Sequence, residues 1–273
     1  MCIRDRFQSI WSFTRTELLI RDDGLAAWKW DPAASPHVRD INNATDGDIL
    51  IAYALAQAGA AWSEPQLTAD ATRIVKAIGK AGLWEHQGRT LIAPATAGFS
   101  AGEQKDGPVV NLSYWIFEAF PIFATLDPAT DWNKVGGDGL AVLASAAFGP
   151  NKLPPDWLSL ARQPKPAAGF TPEFGYNALR IPLYLARAGL ARPSLTDAYL
   201  EPQRFAITDL ATGRAKDALE DPGYRIIPAL VACMNGGSLV SEDLKRFAPT
   251  LYFPSTLHLL ALAHLAAHQG ECR

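Results

Sequence analysis

Apolar residues recur at three- and four-residue intervals along most of the chain, and strand-like alternation is scarce. That pattern predicts helices over residues 6–20, 48–62, 67–81, 113–126, 131–147, 175–188, 222–234, 241–247 and 254–268. Thr45 reads as the cap of the helix entered at Asp48, with Gly59 near its end; Ser63 with Gln66, Ser113 and Thr130 read as further caps, and Gly189 follows RIPLYLARA. Pro182, inside that last run, should bend its helix or mark its first turn. RTLIAPATAGF, from Arg89, has the β-branched and turn residues of a small hairpin. The fold class is therefore all-α. No shift in composition divides the chain, so residues 1–273 read as one domain of stacked helical hairpins, an arrangement that can close into a ring with a groove at one end.

Composition narrows the function. With 273 residues and 48% hydrophobic content the chain can bury a deep core, which excludes disorder and small disulfide scaffolds. Its 25 Lys and Arg against 28 Asp and Glu leave a net charge of −3 and no basic field for nucleic acid or an anionic membrane, so a neutral partner fits best. The longest apolar runs, GLAVLASAAFG and LHLLALAHLAA, are about half of what a bilayer requires, and the opening MCIRDRFQSIW has no h-region or cleavage site. Cys2, Cys233 and Cys272 show no metal spacing or disulfide framework. Cys233 reads as a small core residue, while Cys272 is available to bridge to a partner in an oxidising compartment. His264, His268 and Cys272 share helical spacing, but a helix ending near Gly270 takes Cys272 off that face, so neither a metal nor another cofactor is expected. GxGxxG, Walker and GxSxG patterns are missing, which disfavours nucleotide chemistry and serine hydrolysis.

The segment ATDGDILIAYALAQAGAAW, from Ala44 to Trp62, puts two aspartates at the mouth of an amphipathic helix. There, backbone N–H groups and the helix dipole favour ionised carboxylates, and capping by Asp46 and Asp48 is the plain structural alternative. Trp28 and Trp30 lie in AAWKWDP just before it; two residues apart on extended chain they face opposite sides, so one is expected to stack on a sugar ring and the other to pack.

The segment from Ala44 to Trp62 resembles the signature of glycoside hydrolase family 8, and FTRTEL, DGLAAWKWDP, NLSYW and FGYNALRIPLYLA extend the resemblance over most of the chain. It is closest to the bacterial endo-β-1,4-glucanases associated with cellulose synthesis. The resemblance implies an (α/α)6 barrel, a β-glucan partner, a monomer, an association with cellulose-synthesis machinery, a periplasmic or secreted location, and hydrolysis with inversion. Inversion uses a protonated carboxyl on the leaving oxygen and a second group activating water, ~6.5–9.5 Å apart. Asp46 then matches the active-site aspartate at the cleavage point, with Asp48 supporting it or only capping. Tyr114 matches a tyrosine beside the reacting sugar and attacking water, flanked by Asn111 and Ser113. Arg180 holds a carboxylate or the sugar.

Two departures concern the catalytic pair. The family's general acid is a glutamate in an S-E-G motif on a helix upstream of the FTRTEL-like one; this sequence contains no S-E-G, and Glu17 stands in the wrong motif to replace it. MCIRDR does not match the family, so a truncated reading frame is expected, with residues 1–5 foreign and the first helix absent. Asn177, in FGYNALR, stands where family members carry an aspartate as general base. An amide orients water but cannot accept its proton. Asp46, Glu103 and Glu173 are the replacement candidates. A glucan-binding toroid without catalysis is the alternative from another class, and chitosan, mixed-linkage glucan and xylo-oligosaccharide are the alternative substrates.

Overall fold

The computed structural model describes residues 3–200, 205–268 and 272. They form two compact units, one of residues 1–110 with 119–138, the other of residues 111–118 with 139–273.

The first unit is built on a hairpin of α2 (Thr45–Trp62) and α3 (Pro65–Ala81), preceded by α1 (Ile3–Phe13). Leu67, Ala71, Ile74, Val75 and Ile78 form the inner stripe of α3 and pack with Ile49, Ala52 and Leu55 of α2. The strands β1 (Leu83–His86) and β2 (Arg89–Ile92) pair antiparallel, with Leu83 opposite Ile92, around Gln87 and Gly88, both at positive φ. The short strand β3 (Val109–Val110) and α4 (Phe120–Leu126) follow. Trp132 opens α5 (Trp132–Ala144) and packs against Phe120 and Phe123, with ring centroids 6.0 and 5.1 Å away.

The second unit contains the end of α5, then β4 (Leu158–Ser159), β5 (Lys165–Pro166), β6 (Glu173–Phe174), α6 (Ile181–Arg187), α7 (Pro193–Thr196), β7 (Ala206–Asp209), β8 (Ala215–Ala218), α8 (Pro222–Met234) and α9 (Tyr252–Ala267). β6, β7 and β8 form an antiparallel sheet in that order. α8 and α9 pack on each other and on α6, around Leu183, Tyr184, Ile226, Ile227, Leu230 and Leu257.

Several expectations are corrected. The predicted helix over 113–126 is α-helical only from Phe120; before it stand two 3-10 turns, Leu112–Tyr114 and Phe117–Ala119, and Pro121, which cannot donate, sits in the first turn of α4. Residues 175–180 likewise precede the helix: a 3-10 turn, Ala178–Arg180, leads into α6, and Pro182 marks its first turn. Residues 241–247 form turns. Thr45 is the first helical residue of α2 and Ala44 holds the cap position, while Ser63, at φ 54°, ends α2 instead of starting α3. Asp131 takes the capping place read for Thr130, accepting the Lys134 N–H at 2.9 Å. The Arg89 strand pairs with the segment before it. Cys233 and Cys272 are joined in a disulfide across 39 residues, so Cys272 neither bridges to a partner nor joins His264 and His268.

Candidate functional site

Each unit carries one of the constellations that the sequence singles out. In the first, Asp46 stands half-buried in the opening turn of α2 and its Oδ1 accepts the N–H of Gly47 at 2.9 Å. Asp48, one turn-step deeper, is 1% exposed. Its Oδ1 accepts the Ala26 N–H at 2.7 Å and its Oδ2 accepts Asn43 Nδ2 at 2.9 Å. Burial pushes its carboxyl up to about 7, against the opposing pull of those two donors and of Arg21. Asn43 extends the cage, taking the Thr96 N–H on its Oδ1 at 2.8 Å, while Thr45 N–H reaches Pro94 O at 3.0 Å. Asp48 thus fastens the loops around residues 26, 43 and 96 to the mouth of α2.

The two tryptophans divide as their spacing suggests. Trp30 is packed between Phe13 and His37, with centroids 5.2 and 4.7 Å away, and its Nε1 donates to Glu17 at 3.2 Å. Trp28 is 52% exposed, with its Nε1 donating to Asp40 at 2.9 Å and Lys29 Nζ 5.6 Å from its ring. Trp28 and Lys29, together with Asp31, His37, Arg39 and Asp40, line a pocket of about 200 Å³.

In the second unit one hydrogen-bonded chain links five residues. Asn111 caps the Leu112–Tyr114 turn, its Oδ1 accepting both the N–H and the Oγ–H of Ser113, at 3.1 and 2.7 Å. Arg180 Nη2 donates to Ser113 Oγ at 2.7 Å and to Asn177 Oδ1 at 2.9 Å, and its guanidinium carbon lies 5.7 Å from the centre of the Tyr114 ring. The three-residue spacing of Asn177 and Arg180 across the 3-10 turn brings the two side chains together. Asn177 Nδ2 then donates to Asp156 Oδ2 at 3.3 Å. Tyr114 also meets Trp157 edge to face, with centroids 6.4 Å apart, and Trp157 stacks on Phe170. Buried Asn111 Nδ2 has no hydrogen-bond partner.

Asp156 is the residue that sequence reasoning missed. Its Oδ1 takes the N–H groups of Gly175 and Ala178 at 2.9 and 2.8 Å, and burial raises its pKa. Gly175 is required by this close approach, since a Cβ there would stand 2.5 Å from Asp156 Oδ2. Of the other carboxylates named as base candidates, Glu103 is exposed and accepts Ser100 Oγ at 2.6 Å, and Glu173, on β6, is ion-paired with Lys216. Among the described residues no group of three His, Cys, Asp or Glu side chains is placed to hold a metal ion.

Helical hairpins that present carboxylates, amides and exposed aromatic faces suit a hydrolase acting on sugar polymers. A probable endoglucanase of Novacetimonas hansenii is 33% identical over 268 residues, which cover 93% of this chain and 75% of that protein. The crystal structure of an endoglucanase from Komagataeibacter sucrofermentans superposes with a TM-score of 0.84 at 33% identity, covering 98% of this chain and 84% of the other. The endo-β-1,4-glucanase of Acetobacter xylinum gives 0.83 at 32% identity, over 95% and 82%. The chain belongs to the glycosyl hydrolases family 8, whose family model matches residues 3–225. It is a glycoside hydrolase, and its fold class is the all-α (α/α)6 class.

Proposed function

We propose that this chain carries part of the machinery for cleaving internal β-1,4-glucosidic bonds of cellulose-like glucans with inversion of configuration: in the first unit Asp46 to act on the sugar and Trp28 to bind the glucan, in the second Tyr114 and Asn177 to act on the sugar and Asn111 and Arg180 to bind it. The observation that carries the reading is the chain from Asn111 through Ser113 and Arg180 to Asn177. It fixes two amides and a guanidinium beside a tyrosine face. The names of the relatives support glucan as the substrate. The exposed indole of Trp28, fixed by Asp40, suits a pyranose face. Asp48, enclosed by Ala26 and Asn43, serves by holding Asp46 in place.

The sequence contains no S-E-G glutamate, so we infer that these 273 residues bind glucan but turn it over negligibly. The Cys233–Cys272 bond supports a periplasmic or secreted location, where such bonds persist. Calorimetric titration with cellohexaose and a reducing-sugar assay on carboxymethylcellulose test both points. Binding without release is the expected result. Failure to bind removes the glucan reading, and vigorous turnover removes the assignment of the acid to an S-E-G glutamate.

A further inference from the structure

Arg180 and Asp156 are both buried, 9% and 8% exposed, and their opposite charges do not meet directly. The amide of Asn177 is spliced between them, with Oδ1 toward the guanidinium at 2.9 Å and Nδ2 toward the carboxylate at 3.3 Å. An asparagine amide is nearly symmetrical in shape, so its own packing does not decide which end faces which neighbour. Here the charges decide. Turned around, the amide would set N–H groups against a guanidinium and a carbonyl against a carboxylate. Asp156 in turn cannot swing away, because Gly175 and Ala178 hold its other oxygen and the Gly175 backbone closes on Oδ2.

We propose that Asp156 is the positioning residue of the glucan site: it fixes the orientation of the Asn177 amide and thereby holds Arg180 against Tyr114 and Ser113. The inference rests on the reading of this cluster as a glucan-binding site. Asp156→Asn removes the acceptor for Asn177 Nδ2, so the amide turns, faces Arg180 with its donors, and takes the Asn177 Oδ1 acceptor away from the guanidinium. Loss of a hydrogen bond to a charged group weakens binding by about tenfold or more. Asn177→Asp alone sets two carboxylates side by side and also weakens binding. The double variant Asp156→Asn/Asn177→Asp exchanges amide and carboxylate. The amide at 156 still accepts from Gly175 and Ala178 and now donates toward 177, whose second oxygen takes Arg180, so every bond in the chain is restored.

The test is calorimetric titration of the full chain and its three variants with cellohexaose, together with thermal melts. The expected result is weakening in both single variants and recovery to within about threefold of the parent in the double variant. If Asp156 only supports the Gly175–Ala178 backbone, Asp156→Asn keeps its backbone-facing oxygen and binds like the parent, which overturns the proposal. An impaired Asp156→Asn that the second substitution does not repair, in affinity or in folding, overturns it equally. Absence of binding by the parent chain brings down the glucan reading itself and this proposal with it, an outcome distinct from failed rescue.

Discussion

The Cys233–Cys272 bond closes 39 residues of chain that contain α9, and its removal has a calculable effect. Joining two points of an unfolded chain removes about 2.1 + 1.5R ln n cal/mol/K of its entropy; for this span that is about 13 cal/mol/K, or about 4 kcal/mol at 25 °C. Both cysteines are buried, so alanine is the suitable replacement. For a unit of this size 1 kcal/mol moves the melting temperature by about 2–4 °C, so Cys233→Ala/Cys272→Ala should melt roughly 8–16 °C below the oxidised parent. Scanning calorimetry with and without a phosphine reductant provides the assay. The reductant should lower the parent's transition to near that of the variant and leave the variant unmoved. Parent and variant melting within about 2 °C of each other would refute the argument, since the α8–α9 hairpin would then owe nothing to the crosslink.

Four further outcomes are expected. Asp48, pushed up to about 7 by burial, keeps its proton in the folded chain over a range where the unfolded chain, near 3.8, has lost it; stability therefore falls as pH rises from about 4 to 7 and levels off above. Urea titrations at pH 4.5 and 7.5 should show a decline larger in the parent than in Asp48→Asn by roughly 3 kcal/mol, and equal declines would exclude the mechanism. Gly139→Ala places a Cβ 2.1 Å from Trp115 Cδ1 and should lower stability by about 1–3 kcal/mol in chemical denaturation, whereas an unchanged midpoint would mean that Trp115 moves freely. Trp28→Ala should weaken cellohexaose binding without shifting the melt, while Trp30→Ala should lower the melt; calorimetry separates the two. Asn111→Ala removes the oxygen that takes both the N–H and the Oγ–H of Ser113 and should lower stability by about 1–2 kcal/mol in urea titration, whereas an unchanged midpoint would mean that the cap contributes nothing.

Long periodic segments with local stop signals were legible from the sequence. α3 and α8 appear where their patterns lie, because their ends are set by residues within the segment, Pro65 and Pro222 among them. The runs at 113–126 and 175–188 have helical periodicity throughout, yet Pro121 and Pro182 let the α-helix begin only at their own turn, leaving tight turns that present Tyr114 and Asn177. β6, β7 and β8 are two to four residues long and carry no alternation to detect. Of the candidate site, Asp46, Tyr114 and Arg180 announce themselves through motifs. Asp156 does not, since its partners lie 19 and 22 residues further on and nothing in PPDWL marks it. The disulfide was hidden for the same reason: its 39-residue reach is a property of how α9 folds back on α8.

The loop between Trp28 and Asn42 is tied across its base. Trp28 N–H donates to Asn42 O at 2.9 Å, Trp28 Nε1 reaches Asp40, and Asn42 Nδ2 anchors on Ala97 O at 3.0 Å. Within the loop Asp31 N–H donates to His37 O at 2.9 Å, so the residues between those two form an insert whose length is uncoupled from Trp30 and from the helix mouth that bears Asp46. Doubling a flexible loop costs only about 0.6 kcal/mol in closure entropy. This is a place where a lineage, or a protein engineer, can lengthen or re-letter the chain beside the pocket at Trp28 without disturbing the carboxylates behind it.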